Sequence, residues 1–115
     1  MPPTIERYEF GSITIDGVTY RRDVIVLPER VLPQWWREEG HRLGIGDLQV
    51  VLDRKPRTLV VGTGSAGAME VPSETARAVE ALGITLLVLP TADAVAAYGR
   101  LADTGEVAAA LHLTC

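Results

Sequence analysis

Cysteine occurs once in the 115 residues, at Cys115, lysine once, at Lys55, phenylalanine once, at Phe10, and asparagine not at all. One thiol can form no disulfide within the chain, so a stapled secreted scaffold is excluded and a reducing cytoplasm is expected. No apolar run approaches the roughly 20 residues that cross a bilayer. Met1 to Phe10 holds Glu6, Arg7 and Glu9 where a signal core would be apolar, so neither spanning nor membrane targeting is expected. The missing asparagine, the preference for arginine over lysine and the abundant alanine read as the codon bias of a GC-rich genome.

An excess of positive charge is lacking too. The net charge is -4 and the pI is about 5.1. Met1 to Arg57 carries nine Arg or Lys against nine Asp or Glu, whereas Thr58 to Cys115 carries two against six. Phosphate neutralisation needs a basic face, so nucleic-acid binding is not expected, and the short run Arg54, Lys55, Arg57 reads as a solvated turn. What is present is apolar: 47% of residues are hydrophobic, enough for one domain, 1–115, with a core of its own.

Several segments declare their structure. Ser12 to Ile15, Asp16-Gly17 and Val18 to Arg21 read as a hairpin, because Asp-Gly suits the positive φ values of a type I′ turn. Asp23 to Leu27, Thr58 to Val61 and Ile84 to Leu89 are β-branched or leucine-rich runs expected as strands buried on both faces. Pro28 to Gly46 is expected to be mostly loop, with a short helix starting at Pro33. Asp47 is expected to cap a helix to about Asp53, Ser73 one with Ala76, Val79 and Leu82 inward and Gly83 at C′, and Thr91 one to about Ala102. Val107 to Leu113 reads as a last strand, since that completes the sheet, although Ala108 to Ala110 would suit a helix equally well. The order predicts an α/β domain of three layers around a mixed sheet flanked by helices, with an N-terminal β-hairpin.

Chemistry is sparser. Gly62-Thr63-Gly64-Ser65-Ala66-Gly67 matches G-x-G-x-x-G after a strand. Val71-Pro72 separates it from the next helix and no acid ends the next strand, so a dinucleotide site is not expected. Two readings remain for Gly62, Thr63, Gly64 and Ser65: an anion-binding nest of backbone N–H groups, or glycines that merely allow close packing. His41 could serve such a ligand as a base, or could bond a neighbouring carbonyl. Trp35 and Trp36, adjacent, cannot both point inward from regular structure, so two readings stand: one of them is a partner or ligand surface, or both cover the sheet through an irregular turn. His112 is expected to be buried and bonded to backbone. His41, His112 and Cys115 form no close metal pair, and no catalytic constellation, metal site or cofactor fingerprint emerges.

Taken in order, Tyr8-x-Phe10-Gly11-x-Ile13, Tyr20-x-x-Asp23-Val24-Ile25, Pro28, Trp36-x-x-x-Gly40-His41, Asp47-Leu48, Gly62-Thr63-Gly64, Thr91-x-x-Ala94-x-x-x-Tyr98 and Leu111-His112-Leu113-Thr114-Cys115 resemble the Mth nine-three-eight-like domain family. The resemblance covers nearly the whole chain. It implies a three-layer α/β fold around a mixed sheet and no catalytic residues. A mitochondrial complex I assembly factor in that family implies an interaction or assembly role. The expectation is a non-catalytic protein-interaction module with an unidentified protein partner, alternatively a binder of a small anionic or nucleotide-type ligand. Self-association as a homodimer is compatible with either.

Overall fold

The computed structural model describes residues 2–115. Its first unit is a three-stranded antiparallel sheet of β1 (Ile5–Glu9), β2 (Ser12–Ile15) and β3 (Val18–Tyr20). The Asp-Gly turn is as the sequence dictates: Asp16 and Gly17 have φ of 49° and 82°, and Ile15 pairs with Val18. Ile13 and Ile15 alternate inward from β2.

A second sheet holds five strands in the order β5-β4-β8-β6-β7, from β4 (Val24–Leu27), β5 (Arg30–Leu32), β6 (Thr58–Thr63), β7 (Thr85–Leu89) and β8 (Val107–His112). β6 runs parallel to β7 and β8, and β4 runs antiparallel to β8 and β5, so the sheet is mixed. Every residue of β8 is buried. Its three successive alanines, Ala108 to Ala110, suit a centre where layers press from both sides.

The period-2 alternation of the central strands divides the core in two. Val24, Val26, Val60, Ala109 and Leu111 face α3 (Thr91–Leu101) and the three-stranded sheet. Ile25, Leu27, Leu59, Val61, Ala108 and Ala110 pack with Val51 of α1 (Gln49–Arg54) and Val79 of α2 (Ser73–Ala81). The result is a three-layer α/β domain.

Four local expectations need correction. No helix starts at Pro33: the Trp35 N–H bonds the Asp23 carbonyl at 2.7 Å and Gln34 has φ 59°, so a cross-chain bond outcompetes helix propensity. Arg30 to Leu32 instead folds back on β4 through Pro28-Glu29. Ser73 and Thr91 are first helical residues rather than caps, each preceded by an extended proline, and Thr75 and Val79 are buried where Leu82 is exposed. Asp47 stands inside a 3-10 turn, Ile45–Leu48, and accepts the Gly44 N–H at 2.8 Å. Finally, the Ile84 to Leu89 run is not a strand buried on both faces: β7 contains no fully buried residue and Val88 is 43% exposed, because β7 is an edge strand and, among the described residues, lacks neighbours on one side.

Tyr98 fastens the N-terminal segment to α3, its phenol donating to the Pro3 carbonyl at 2.6 Å. Burial, with Asp16 and Asp103 adding to it, pushes this phenol up to about 12. Tyr98→Phe leaves that buried carbonyl without a donor and should cost about 1–2 kcal/mol, read as a lowered urea midpoint at unchanged m value. An unchanged midpoint would show that the tether contributes nothing.

Candidate functional site

The polar centre of the molecule is built at the ends of two buried strands. Asp23 immediately precedes β4, and His112 ends β8, its antiparallel neighbour. Between β5 and the 3-10 turn the chain returns across these ends, and Arg37 projects inward. Its guanidinium Nη1 lies 2.8 Å from Asp23 Oδ2, with only 5% of the side chain exposed. Nε and Nη2 donate to the Gly40 carbonyl at 3.1 and 2.9 Å, and Nη2 lies 3.0 Å from His112 Nδ1. His112 Nδ1 is 2.8 Å from Asp23 Oδ2, and the Leu113 N–H donates to Oδ1 at 2.8 Å.

An ionised carboxylate can only accept, so the shorter contact assigns the His112 proton to Nδ1, donating to Asp23 Oδ2. His112 Nε2 is then left buried without a partner. Burial pushes the Asp23 carboxyl up, but bonds from His112, the Leu113 N–H and Arg37 outweigh it and hold it below the usual carboxylate range. The expected backbone-bonded His112 is thus a carboxylate-bonded one. His41 is exposed and meets the His112 ring edge-on, with centroids 5.7 Å apart. Its carbonyl accepts the Glu70 N–H, which ties this loop to the segment after the glycines.

The glycine loop lies against the same strand ends, but its donors are engaged within the chain. Gly64 N–H donates to Thr91 Oγ1 at 2.8 Å, Ser65 N–H to the Thr114 carbonyl at 2.6 Å, and Ala68 N–H to the Cys115 carbonyl at 2.9 Å. Thr63 Oγ1 donates to the Leu89 carbonyl. A Cβ on Gly64 would stand 2.4 Å from the Cys115 carbonyl carbon, at φ +106°. Close packing therefore explains Gly62 and Gly64, and an anion at Gly62 to Ser65 would have to displace residues 114 and 115.

The two tryptophans divide, one inward and one outward. Trp35 is partly buried, donates from Nε1 to the Asp47 carbonyl at 3.0 Å and lies under the Arg37 guanidinium, 4.6 Å from its ring centre. Trp36 is 80% exposed. It stands between two clefts. One, of about 670 Å³, is lined by Arg21, Arg22, Gln34, Trp36, Arg37 and the edge of Asp23. The other, of about 590 Å³, is bordered by Glu38, Glu39, Arg42 and Asp47. Among the described residues no three His, Cys, Asp or Glu side chains converge as a metal-binding set, and no helix is long and apolar enough to cross a membrane.

Residues 5–112 match the family described as a protein of unknown function, DUF498/DUF598. The chain belongs to this family. Among solved structures, the conserved hypothetical protein PH1505 from Pyrococcus horikoshii OT3 is similar at 26% identity and TM-score 0.83, covering 97% of this chain and 99% of that one. A protein named MT938 is similar at 29% identity and TM-score 0.80, covering 98% and 99%. A Bordetella pertussis protein named as a Mth938-like domain shares the fold at 21% identity and TM-score 0.79, covering 96% and 85%. The family and the fold are those the residue pattern resembled.

Asp23→Asn leaves the Arg37 cation buried without its counter-ion and should cost about 3 kcal/mol at neutral pH. Because the folded carboxyl titrates below its unfolded range, its contribution is complete above roughly pH 4–5 and is lost as pH falls through the folded value. The gap between wild type and Asp23→Asn in denaturant unfolding should therefore close below about pH 4; a constant gap down to acid would sink the assignment. Gly64→Ala should cost roughly 2 kcal/mol or more, whereas Gly105→Ala, with nothing within 4 Å of the added Cβ, serves as a near-neutral control in the same thermal melts.

Proposed function

We propose that this domain is a non-catalytic protein-interaction module that docks an acidic segment of a partner protein against Trp36 and the arginine cleft beside it. The observation that carries the reading is the 80% exposure of Trp36 at the rim of a cleft bearing Arg21, Arg22 and Arg37. Large aromatics and arginines are the side chains that dominate binding energy at interfaces, and a rigid indole loses little entropy on docking. The chain carries a net charge of -4, so this cleft reverses the prevailing sign locally, which favours an acidic partner over a basic one.

The neighbouring chemistry supports binding rather than turnover. Asp23 and Arg37 hold each other and His112 inside the fold, and the proton assigned to His112 Nδ1 is directed at Asp23. Arg37 supports the cleft from below through Trp35. A cytoplasmic setting suits the single, exposed thiol of Cys115.

Partner capture with the whole chain tests the reading when wild type is compared with Trp36→Ala and with Arg21→Glu/Arg22→Glu. All three positions are exposed, so the variants should fold. A shared set of acidic proteins should be lost with either variant, and binding should weaken at least tenfold, or about 1.4 kcal/mol, with added salt weakening the wild-type complex further. A recovered set that neither variant changes would remove this face as the docking site.

A further inference from the structure

The five-stranded sheet ends on one side in β5 and on the other in β7, and the two edges differ. β5 is three residues long and begins with Arg30. In the smaller sheet, β1 carries Glu6, Arg7 and Glu9, and β3 is three residues long and runs into Arg21-Arg22. Short length and charge are the usual protections of an open edge. β7, Thr85–Leu89, has neither: it is five residues of Thr, Leu and Val, and no charged residue occurs from Ala81 to Ala92.

The register states which backbone groups are open. Thr85 N–H donates to the Arg57 carbonyl, and Thr85 pairs in parallel with Thr58. In a parallel ladder alternate residues face one neighbour, so Thr85, Leu87 and Leu89 turn their N–H and C=O groups towards β6. Leu86 and Val88 turn theirs outward, where β7 meets no further strand among the described residues. On the α2 side of the sheet Leu86 packs against the core, while Val88, in register with the inward-facing Val61, is 43% exposed.

We propose that β7 is a self-association edge that pairs antiparallel with β7 of a second copy about a two-fold axis at Leu87. That register sets Leu86 opposite Val88 of the second copy, and Val88 opposite its Leu86. Both are hydrogen-bonded positions, so every outward N–H and C=O of one edge meets its complement on the other. The same register stacks Leu86 on the second copy's Val88 on one face, twice. The absence of charge removes the self-repulsion that identical charged edges would create, and self-complementarity is what a two-fold interface requires. The product is one sheet continuous through both copies. This inference does not rest on the Trp36 reading, because Asp23 and the arginine cleft lie by β4 and β5 at the other side of the sheet.

Sedimentation of the whole chain from about 10 μM to about 1 mM should show mass action towards twice the 12.4 kDa of the monomer. Val88→Lys places two like charges across the axis, and Val88→Pro deletes an outward donor without touching the bonds to β6. Both should remain monomeric while keeping a cooperative thermal melt. In the wild type, amide exchange at Leu86 and Val88 should slow as concentration rises, whereas Leu87 and Leu89 should be protected throughout. A monomer at every concentration, or a dimer in which the Leu86 and Val88 amides stay unprotected, would overturn the proposal. So would a dimer that survives both substitutions.

Discussion

The Asp23 carboxylate is the constraint around which the rest of the structure is arranged. It sits where β4 begins and β8 ends, and it has three partners from two parts of the chain: the Arg37 cation in the long loop as an ion pair, and the His112 ring and the Leu113 N–H at the end of β8 as hydrogen bonds. Such a group costs several kcal/mol to desolvate, and that cost is met only while all three partners are in place. The loop from Pro33 to Gly44 has little regular structure of its own, yet Arg37 and Trp35 fix it to the sheet. A buried ion pair here confers position more than net stability.

The segment beyond β8 inherits its place from the same contact. With Leu113 N–H held by Asp23, its carbonyl accepts the Tyr8 hydroxyl at 3.0 Å and the Gly11 N–H at 2.9 Å. Thr91 Oγ1 donates to the His112 carbonyl at 2.6 Å while accepting the Gly64 N–H. The hairpin, α3 and the glycine loop thus converge on residues 112–115. A run of glycines at Gly62 and Gly64 is needed because this convergence leaves no room for a Cβ.

This convergence also marks the limit of what the amino-acid order reveals. The Asp16-Gly17 turn, the apolar strands and the helix ending at Gly83 are local, set by turn chemistry and by periodicity within a dozen residues. The tryptophans are not, since adjacency forces an inward and an outward ring only in regular structure, and here the split is set by the Trp35 bonds to Asp23 and Asp47. Asp23 and His112 are 89 positions apart, and neither spacing nor composition records that β4 and β8 are neighbours. The one local signal is a polar residue at one end of each of two apolar runs, Asp23 before Val24 to Leu27 and His112 after Val107 to Leu111. The same limit explains β7: the four apolar residues Leu86 to Leu89 predict a strand, but not that nothing lies beside it or that Val88 is left exposed.

The long loop joins structure to the proposed binding face. An exposed tryptophan on a mobile loop would lose its advantage on docking, because ordering the backbone would offset the contact area gained. Here Trp36 lies between Trp35, whose indole is bonded to the Asp47 carbonyl, and Arg37, whose guanidinium is buried against Asp23. Both flanking side chains are committed inward, so the backbone of Trp36 is held on either side and its ring is presented without further ordering. The chemistry that makes Arg37 costly to bury is therefore what makes Trp36 useful to expose.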